Sequence, residues 1–174
     1  EGENVIAILP GANGTVSAEQ AEKAVGDMKS GDILMLQQEV PATSVKAALN
    51  AAKAKGVRTV LNIAPLIAET TELAAMADIV IANETEFERL VGRDNLTASE
   101  REQILIEMHG KTGQILIVTL GGDGVIAAEG GALHRTKGLK IEPVDTVGAG
   151  DTFCGYLAAS LDAGLGFDEA LRRA

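Results

Sequence analysis

Tryptophan is missing from this chain, and aromatic residues make up only 2% of it. The core must then be assembled from Ala, Ile, Leu and Val, which suits helices packed on a parallel sheet better than a β-sandwich. Cysteine is nearly absent too. Cys154 stands alone, so no internal disulfide can form. A small thiol in an apolar run fits a reducing, cytoplasmic setting. The two histidines, His109 and His134, do not stand near Cys154 in a metal-ligand spacing. No apolar run approaches the ~18 residues of a membrane span. Positive charge is in deficit, with 15 Lys and Arg against 25 Asp and Glu and a formal net charge of −10. That balance speaks against a nucleic-acid partner. An anionic ligand would need local donors and metal ions rather than the overall field.

What is present is regular alternation. At 174 residues, a single domain over 1–174 is expected. The chain opens on Glu1 and halts in "FDEALRRA", inside a helical pattern without a C-cap, so it reads as the core segment of a longer protein. "NVIAIL" (Asn4–Leu9) reads as a buried strand and "PGANG" as a turn. Ser17 with Gln20 predicts a capping box that opens a helix to about Met28. "DILMLQ", "RTVLN", "DIVIA" and "QILIVTL" read as strands. "PATSVKAALNAAKAKG", "TELAAMA", "NETEFERLVG" and "EREQILIEMHGKTG" read as helices, the last behind a Thr97–Glu100 capping box. "VIAAEGGALHR" predicts a hairpin turning at Gly130-Gly131, and "LKIEPV" a further strand. From Asp151 the spacing of Phe153, Leu157, Ala158 and Leu161 is helical, with a stop at Gly164. The pattern implies a mostly parallel α/β sheet with an antiparallel edge.

Two motifs mislead. "HGKTG" lacks the first glycine of a phosphate-binding P-loop, since Leu105 stands there, and the strand–loop–helix order is reversed. It reads as a helix end with a helpful lysine. Gly122-x-Gly124-x-x-Ala127 matches a loose dinucleotide fingerprint, but a strand follows it rather than a helix.

Three stretches fall where parallel strands end, the place where open α/β sheets bind ligands. In "DTVGAGD", Gly148 and Gly150 allow a tight approach to a ligand. The amides of Ala149, Gly150 and Asp151 would point outward at a helix N-terminus, which attracts phosphate. Asp151 could take a proton from an attacking hydroxyl, or it could simply N-cap the helix. In "NETE", Asn83 and Glu86 could face phosphates through Mg²⁺ and its waters, or could form a capping box. "TLGGDG" could be a bare turn or a backbone surface for a nucleotide.

In order and spacing, "NETE", "TLGGDG" and "DTVGAGD" resemble the ribokinase-like, or PfkB, family of carbohydrate kinases. The similarity covers essentially the whole chain, with Ile63 standing where the family usually has proline in Asn-Pro-Ala-Pro. The resemblance implies a three-layer fold with a central, mostly parallel sheet flanked by helices and a short antiparallel edge. It implies ATP-dependent phosphorylation of a sugar's primary hydroxyl, with D-ribose favoured. On the same basis Asp151 would be the base, and Gly148, Ala149 and Gly150 would form with it an anion hole. Asn83 and Glu86 would organise Mg²⁺ through water. Thr119, Leu120, Gly121, Gly122, Asp123 and Gly124, with Gly150, would line the ATP. Glu39 would contact the sugar, its alternative being a solvated loop acid. Asp145 and the Val147 carbonyl would hold K⁺. The family's sugar-binding and lid part, which also forms its usual dimer contact, is absent from this sequence, as is its C-terminal adenine wall. The full-length form would be a homodimer, and this segment alone would be inactive. The alternatives are a non-catalytic nucleotide- or sugar-binding module of the same fold, or a kinase for a nucleoside, fructose or a keto-sugar acid.

Overall fold

The computed structural model describes residues 9–142 and 144–174. The strand expected over Asn4–Leu9 lies, apart from Leu9, outside the described residues. The chain runs through a 3-10 turn (Gly11–Thr15), α1 (Ala18–Gly26), β1 (Ile33–Leu36), α2 (Ala42–Lys55) and β2 (Arg58–Asn62). Then come α3 (Thr70–Ala74), β3 (Ile79–Asn83), α4 (Glu84–Val91), α5 (Ala98–Thr112) and β4 (Ile115–Thr119). A 3-10 turn (Gly121–Asp123) leads to β5 (Val125–Glu129), β6 (Ala132–Thr136), α6 (Ala149–Asp162) and α7 (Phe167–Arg173). The helix starts follow local chemistry. Ser17 with Gln20, Asn83 with Glu86, and Thr97 with Glu100 each form a reciprocal capping box, satisfying amides that a helix end otherwise leaves bare.

The six strands lie in chain order, β1 to β6. β1 to β4 are parallel, and the β5–β6 hairpin continues the sheet antiparallel. Parallel neighbours taken in order need crossovers of one hand, which places their helices on one face. There Val45 and Leu49 of α2, Leu73 of α3, Phe87 of α4 and Leu105 of α5 pack on Leu61, Val80, Ala82, Leu116 and Val118. Side chains of opposite parity form the second face. Val60, Ile79, Ile81, Ile115, Ile117, Val125 and Ala127 are covered by Cys154 and Leu157 of α6 and by Ala170 and Leu171 of α7. Each fully buried aliphatic side chain such as Leu157 or Ile79 contributes about 1.5–3 kcal/mol of transfer free energy. The result is the three-layer α/β architecture expected.

α6 runs against the strands. Its last turns, at Ala158, Ala159 and Asp162, line a shallow hollow with Asp32 and Ile33 at the start of β1. Its first turn therefore lies over the carboxyl ends of the parallel strands.

Two expectations need correction. "LKIEPV" forms no strand among the described residues, and Leu139 and Ile141 are exposed. The reason lies just before it. A Cβ on Gly138 would stand 2.3 Å from the Gly122 carbonyl oxygen, so the chain is drawn across the Gly121–Asp123 turn and away from the edge of β6. The late helix begins at Ala149 with Gly148 as N-cap, two residues before the expected start at Asp151.

Candidate active site

Four pieces of chain converge on the carboxyl edge of the sheet. The first is the row of strand ends. Asn83 and Thr119 are register partners on β3 and β4. Asn62, the last residue of β2, pairs with Ile81. Side chains alternate along a strand, so Asn62, Asn83 and Thr119 share the α6 side with Val60, Ile79, Ile81, Ile115 and Ile117. Sequence reading passed over Asn62. Its only signal was a polar residue ending a strand beside two other polar strand ends.

The second piece is the start of α4. Glu86 N donates to Asn83 Oδ1 and Asn83 N to Glu86 Oε2, both at 2.8 Å. The capping box is therefore real. It also leaves the other carboxylate oxygen of Glu86 and the amide nitrogen of Asn83 without a partner among the described residues, so the cap and a ligand can coexist.

The third piece is the turn after β4. Leu120 N donates to Gly124 O at 2.8 Å, and Asp123 N to Leu120 O at 3.1 Å. Gly124 has φ +103°, and a Cβ there would lie 2.0 Å from the Thr136 carbonyl oxygen. Its lack of a side chain is thus required by the protein's own strand β6. At Gly121 and Gly122, by contrast, a Cβ would meet no atom within 4 Å.

The fourth piece is the first turn of α6. Gly148 takes the left-handed conformation (φ +77°) and caps the helix with no side-chain bond. Asp151 is exposed and does not act as the cap. Of the three amides expected to point outward, that of Ala149 is taken by Thr146 O at 3.2 Å. Those of Gly150 and Asp151 meet no acceptor among the described residues. Just before, Val147 N donates to Asp145 Oδ1 at 2.9 Å, which folds the two residues into one tight turn and leaves a second carboxylate oxygen free.

Beneath this edge lies Cys154, 3% exposed. Burial pushes its thiol up to about 11, with the charges of Asp151 and Glu86 adding to the effect. Carboxylates from two separate segments, α6 and α4, thus both bear on one buried thiol. A thiol held protonated in this way is inert packing.

Glu39 is placed differently. It is exposed in the loop after the edge strand β1, two strands from β3 and so about 9–10 Å across the sheet. Its backbone N–H is taken by the Gln37 side chain. The neighbouring Gln38 is buried and ties this loop to the one after β2. Its main-chain N donates to Ala64 O at 3.2 Å. Its side-chain nitrogen, facing two carbonyls that can only accept, donates to Pro65 O at 2.9 Å and Ile63 O at 3.2 Å.

Among the described residues, no group of three or more His, Cys, Asp or Glu stands close enough to cage a metal. The donors at the edge are one carboxylate oxygen of Glu86, an amide and open space. That set fits Mg²⁺ as it is usually held, by one or two carboxylates with waters and substrate phosphates. Asp145 and the Val147 carbonyl supply two oxygens, a partial set for a larger hard cation. No helix among the described residues is long and apolar enough to cross a membrane.

A family model described as pfkB family carbohydrate kinase matches residues 1–174. The chain is 34% identical over 170 residues to a ribokinase of Haemophilus influenzae, covering 98% of this chain and 56% of that one. It is 32% identical over 161 residues to a deoxyribokinase of Salmonella typhi, covering 89% and 51%. The fold superposes with TM-score 0.79 on the solved structure of an Arabidopsis thaliana ribokinase complexed with ribose and ATP, at 30% identity, covering 99% and 56%. The chain thus spans about half the length of the relatives it matches.

Proposed function

The chain belongs to the pfkB family of carbohydrate kinases, and from that membership we propose that the protein transfers the γ-phosphoryl group of ATP to the primary hydroxyl of a sugar, D-ribose in the first instance. One observation carries the proposal. Asp151 is exposed in the first turn of α6, where its own amide and that of Gly150 meet no acceptor among the described residues.

Phosphoryl transfer asks for positioning and charge stabilisation more than covalent work. In the proposed reaction the acceptor hydroxyl lies against Asp151, which takes its proton as the oxygen attacks the γ-phosphorus. The bond from that phosphorus to the bridging oxygen breaks, and ADP leaves. The amides of Gly150 and Asp151 donate to the equatorial oxygens, aided by the positive end of α6. The Ala149 amide contributes only if it leaves Thr146. Thr119–Gly124 offer main chain to the nucleotide, with Gly121 and Gly122 as the open part. Glu86 and Asn83 would hold Mg²⁺ through water, and the ion would neutralise charge on the phosphates. Asp145 and the Val147 carbonyl would bind K⁺ and stiffen the loop ahead of Gly148. Glu39, steadied through Gln38, would meet the sugar. The proposal includes a cytoplasmic homodimer, which rests on the family resemblance.

The likeness to both a ribokinase and a deoxyribokinase leaves the 2-hydroxyl as the feature to test. The experiment is sugar-dependent ADP release by the full-length protein with D-ribose, 2-deoxyribose, fructose, a nucleoside and a keto-sugar acid. Turnover greatest with ribose supports the proposal, and another preferred acceptor moves the substrate while keeping the chemistry. Mg-ATP binding without turnover on any acceptor would make the protein a binding module.

A further inference from the structure

Arg101 belongs to none of the motifs above, yet it is the only charged residue among the described residues that is buried, at 7% exposure. It lies in the first turn of α5. Its Nη2 stands 2.9 Å from Glu84 Oε1 and 3.8 Å from Glu88 Oε1, and donates to Leu96 O at 3.3 Å. Its Nε is buried with no partner among the described residues. A buried guanidinium with an unpaired nitrogen is costly, so its retention calls for a reason beyond packing.

Helical geometry supplies one. Glu84 and Glu88 are four residues apart and share one side of α4. Glu86 lies two residues from each, about 200° around the axis. The side of α4 that Arg101 grips is thus opposite the side that carries Glu86, whose carboxylate caps the helix start at Asn83 N. α4 is only eight residues long; Phe87 is buried and Leu90 and Val91 pack on the same core, so apolar contacts hold one side of the helix and Arg101 ties the side that bears Glu84 and Glu88. Glu88 adds a second tie, accepting from Leu96 N at 2.9 Å and Asn95 N at 3.1 Å, and Leu96 is the residue whose carbonyl Arg101 holds. Guanidinium, two carboxylates and loop close into one network behind the helix.

We infer that Arg101 is a positioning residue for the phosphate end of the site: by holding Glu84 and Glu88 it sets the rotation of α4 and so aims Glu86 and Asn83 at the edge where Mg²⁺ and phosphate would sit. The inference rests on the kinase proposal for the identity of the ligand, but not for the geometry.

The test compares wild type, Arg101→Met, Arg101→Lys and Glu84→Gln in the full-length protein. ATP affinity is measured by calorimetry with and without Mg²⁺, alongside turnover and Tm. Replacing a group that orients a metal-facing residue typically costs 10–100-fold in metal affinity or activity. In Arg101→Met, the strengthening of ATP binding by Mg²⁺ should fall about 10-fold. Metal-free ATP affinity and the KM for sugar should stay within about 2-fold. Arg101→Lys, which keeps the charge but not the forked donors, should recover part of the effect, and Glu84→Gln should show a smaller loss in the same direction. A lower Tm in Arg101→Met with an unchanged Mg²⁺ effect would make the residue merely structural and overturn the inference. If Arg101→Met does not fold, an unchanged Mg²⁺ effect in both other variants overturns it equally. A wild type that binds Mg-ATP without turnover would sink the kinase proposal while calorimetry still decides the role of Arg101.

Discussion

Glu86, in the first turn of α4, and Asp151, in the first turn of α6, add their charges to the burial that raises the pKa of one buried thiol, that of Cys154. The two carboxylates differ in their tethering: Glu86 is held by the cap it forms with Asn83, whereas Asp151 is exposed, with no side-chain partner among the described residues.

That difference can be measured. Asp151→Asn in the full-length protein should lower kcat by at least ~10² while ATP affinity is largely kept, because a general base contributes about 10²–10⁴-fold. Near-normal turnover would remove Asp151 from the chemistry.

Asn83 serves as a helix cap and is proposed to serve as a phosphate neighbour, and one substitution separates the two. Asn83→Asp preserves a side-chain oxygen for the Glu86 amide, and Asn and Asp cap about equally well, so stability should stay within about 0.5 kcal/mol. The added negative charge at the phosphate edge should cut kcat/KM for ATP by at least ~10-fold. Equal losses of stability and activity would mean that Asn83 matters only as a cap.

The turn after β4 offers a stability test with its own control. Gly124→Ala forces a methyl group into the Thr136 carbonyl and should cost about 2–4 kcal/mol. Gly121→Ala, also at positive φ but with open space around it, should cost only the left-handed strain, about 1–2 kcal/mol. Urea midpoints at constant m would rank them.

Far from the site, the His134 ring spans β6 and α7. Its Nδ1 lies 2.7 Å from Asp168 Oδ1 and its Nε2 3.2 Å from Glu129 O. Burial works against the charged ring, but the bond to Asp168, the Glu129 carbonyl and both nearby charges outweigh it, so its pKa is raised. A cation favoured by folding stabilises the native state below the ordinary imidazole value of about 6.5, and that contribution is lost as pH rises through the elevated folded value. Asp168→Asn should therefore lower Tm more at about pH 5.5 than at about pH 8.5. An equal drop at both would mean that the contact does not depend on the proton.

Much of this was legible in the sequence because it is local. The Ser17–Gln20 and Thr97–Glu100 boxes, the strand at 58–62 and the Gly130-Gly131 hairpin depend on residues within a few positions of one another, and each is found as expected. "LKIEPV" had the right alternation, but an alternating run is a strand only if an edge is offered to it, and the Gly122–Gly138 contact removes that edge. The start of α6 slipped by two residues because Gly148 caps it without a side chain to announce the cap. Gln38 and Arg101 were passed over for a common reason: each acquires its meaning from partners on other segments, whereas Asn62, which accepts from Ala64 N close by, gains its place only beside the polar ends of the neighbouring strands.

The allotment of helices to the two faces also orders events in time. Five helices wrap one side as the strands emerge, but among the described residues only α6 and α7 shelter the other, and both are made after all six strands. Until then Ile79, Ile81, Ile115 and Ile117 remain wet, a hazard for sticking to other chains during synthesis. When α6 docks, it closes that side and delivers Asp151 to the strand ends in a single movement, so a nascent chain acquires its second core and its proposed base together.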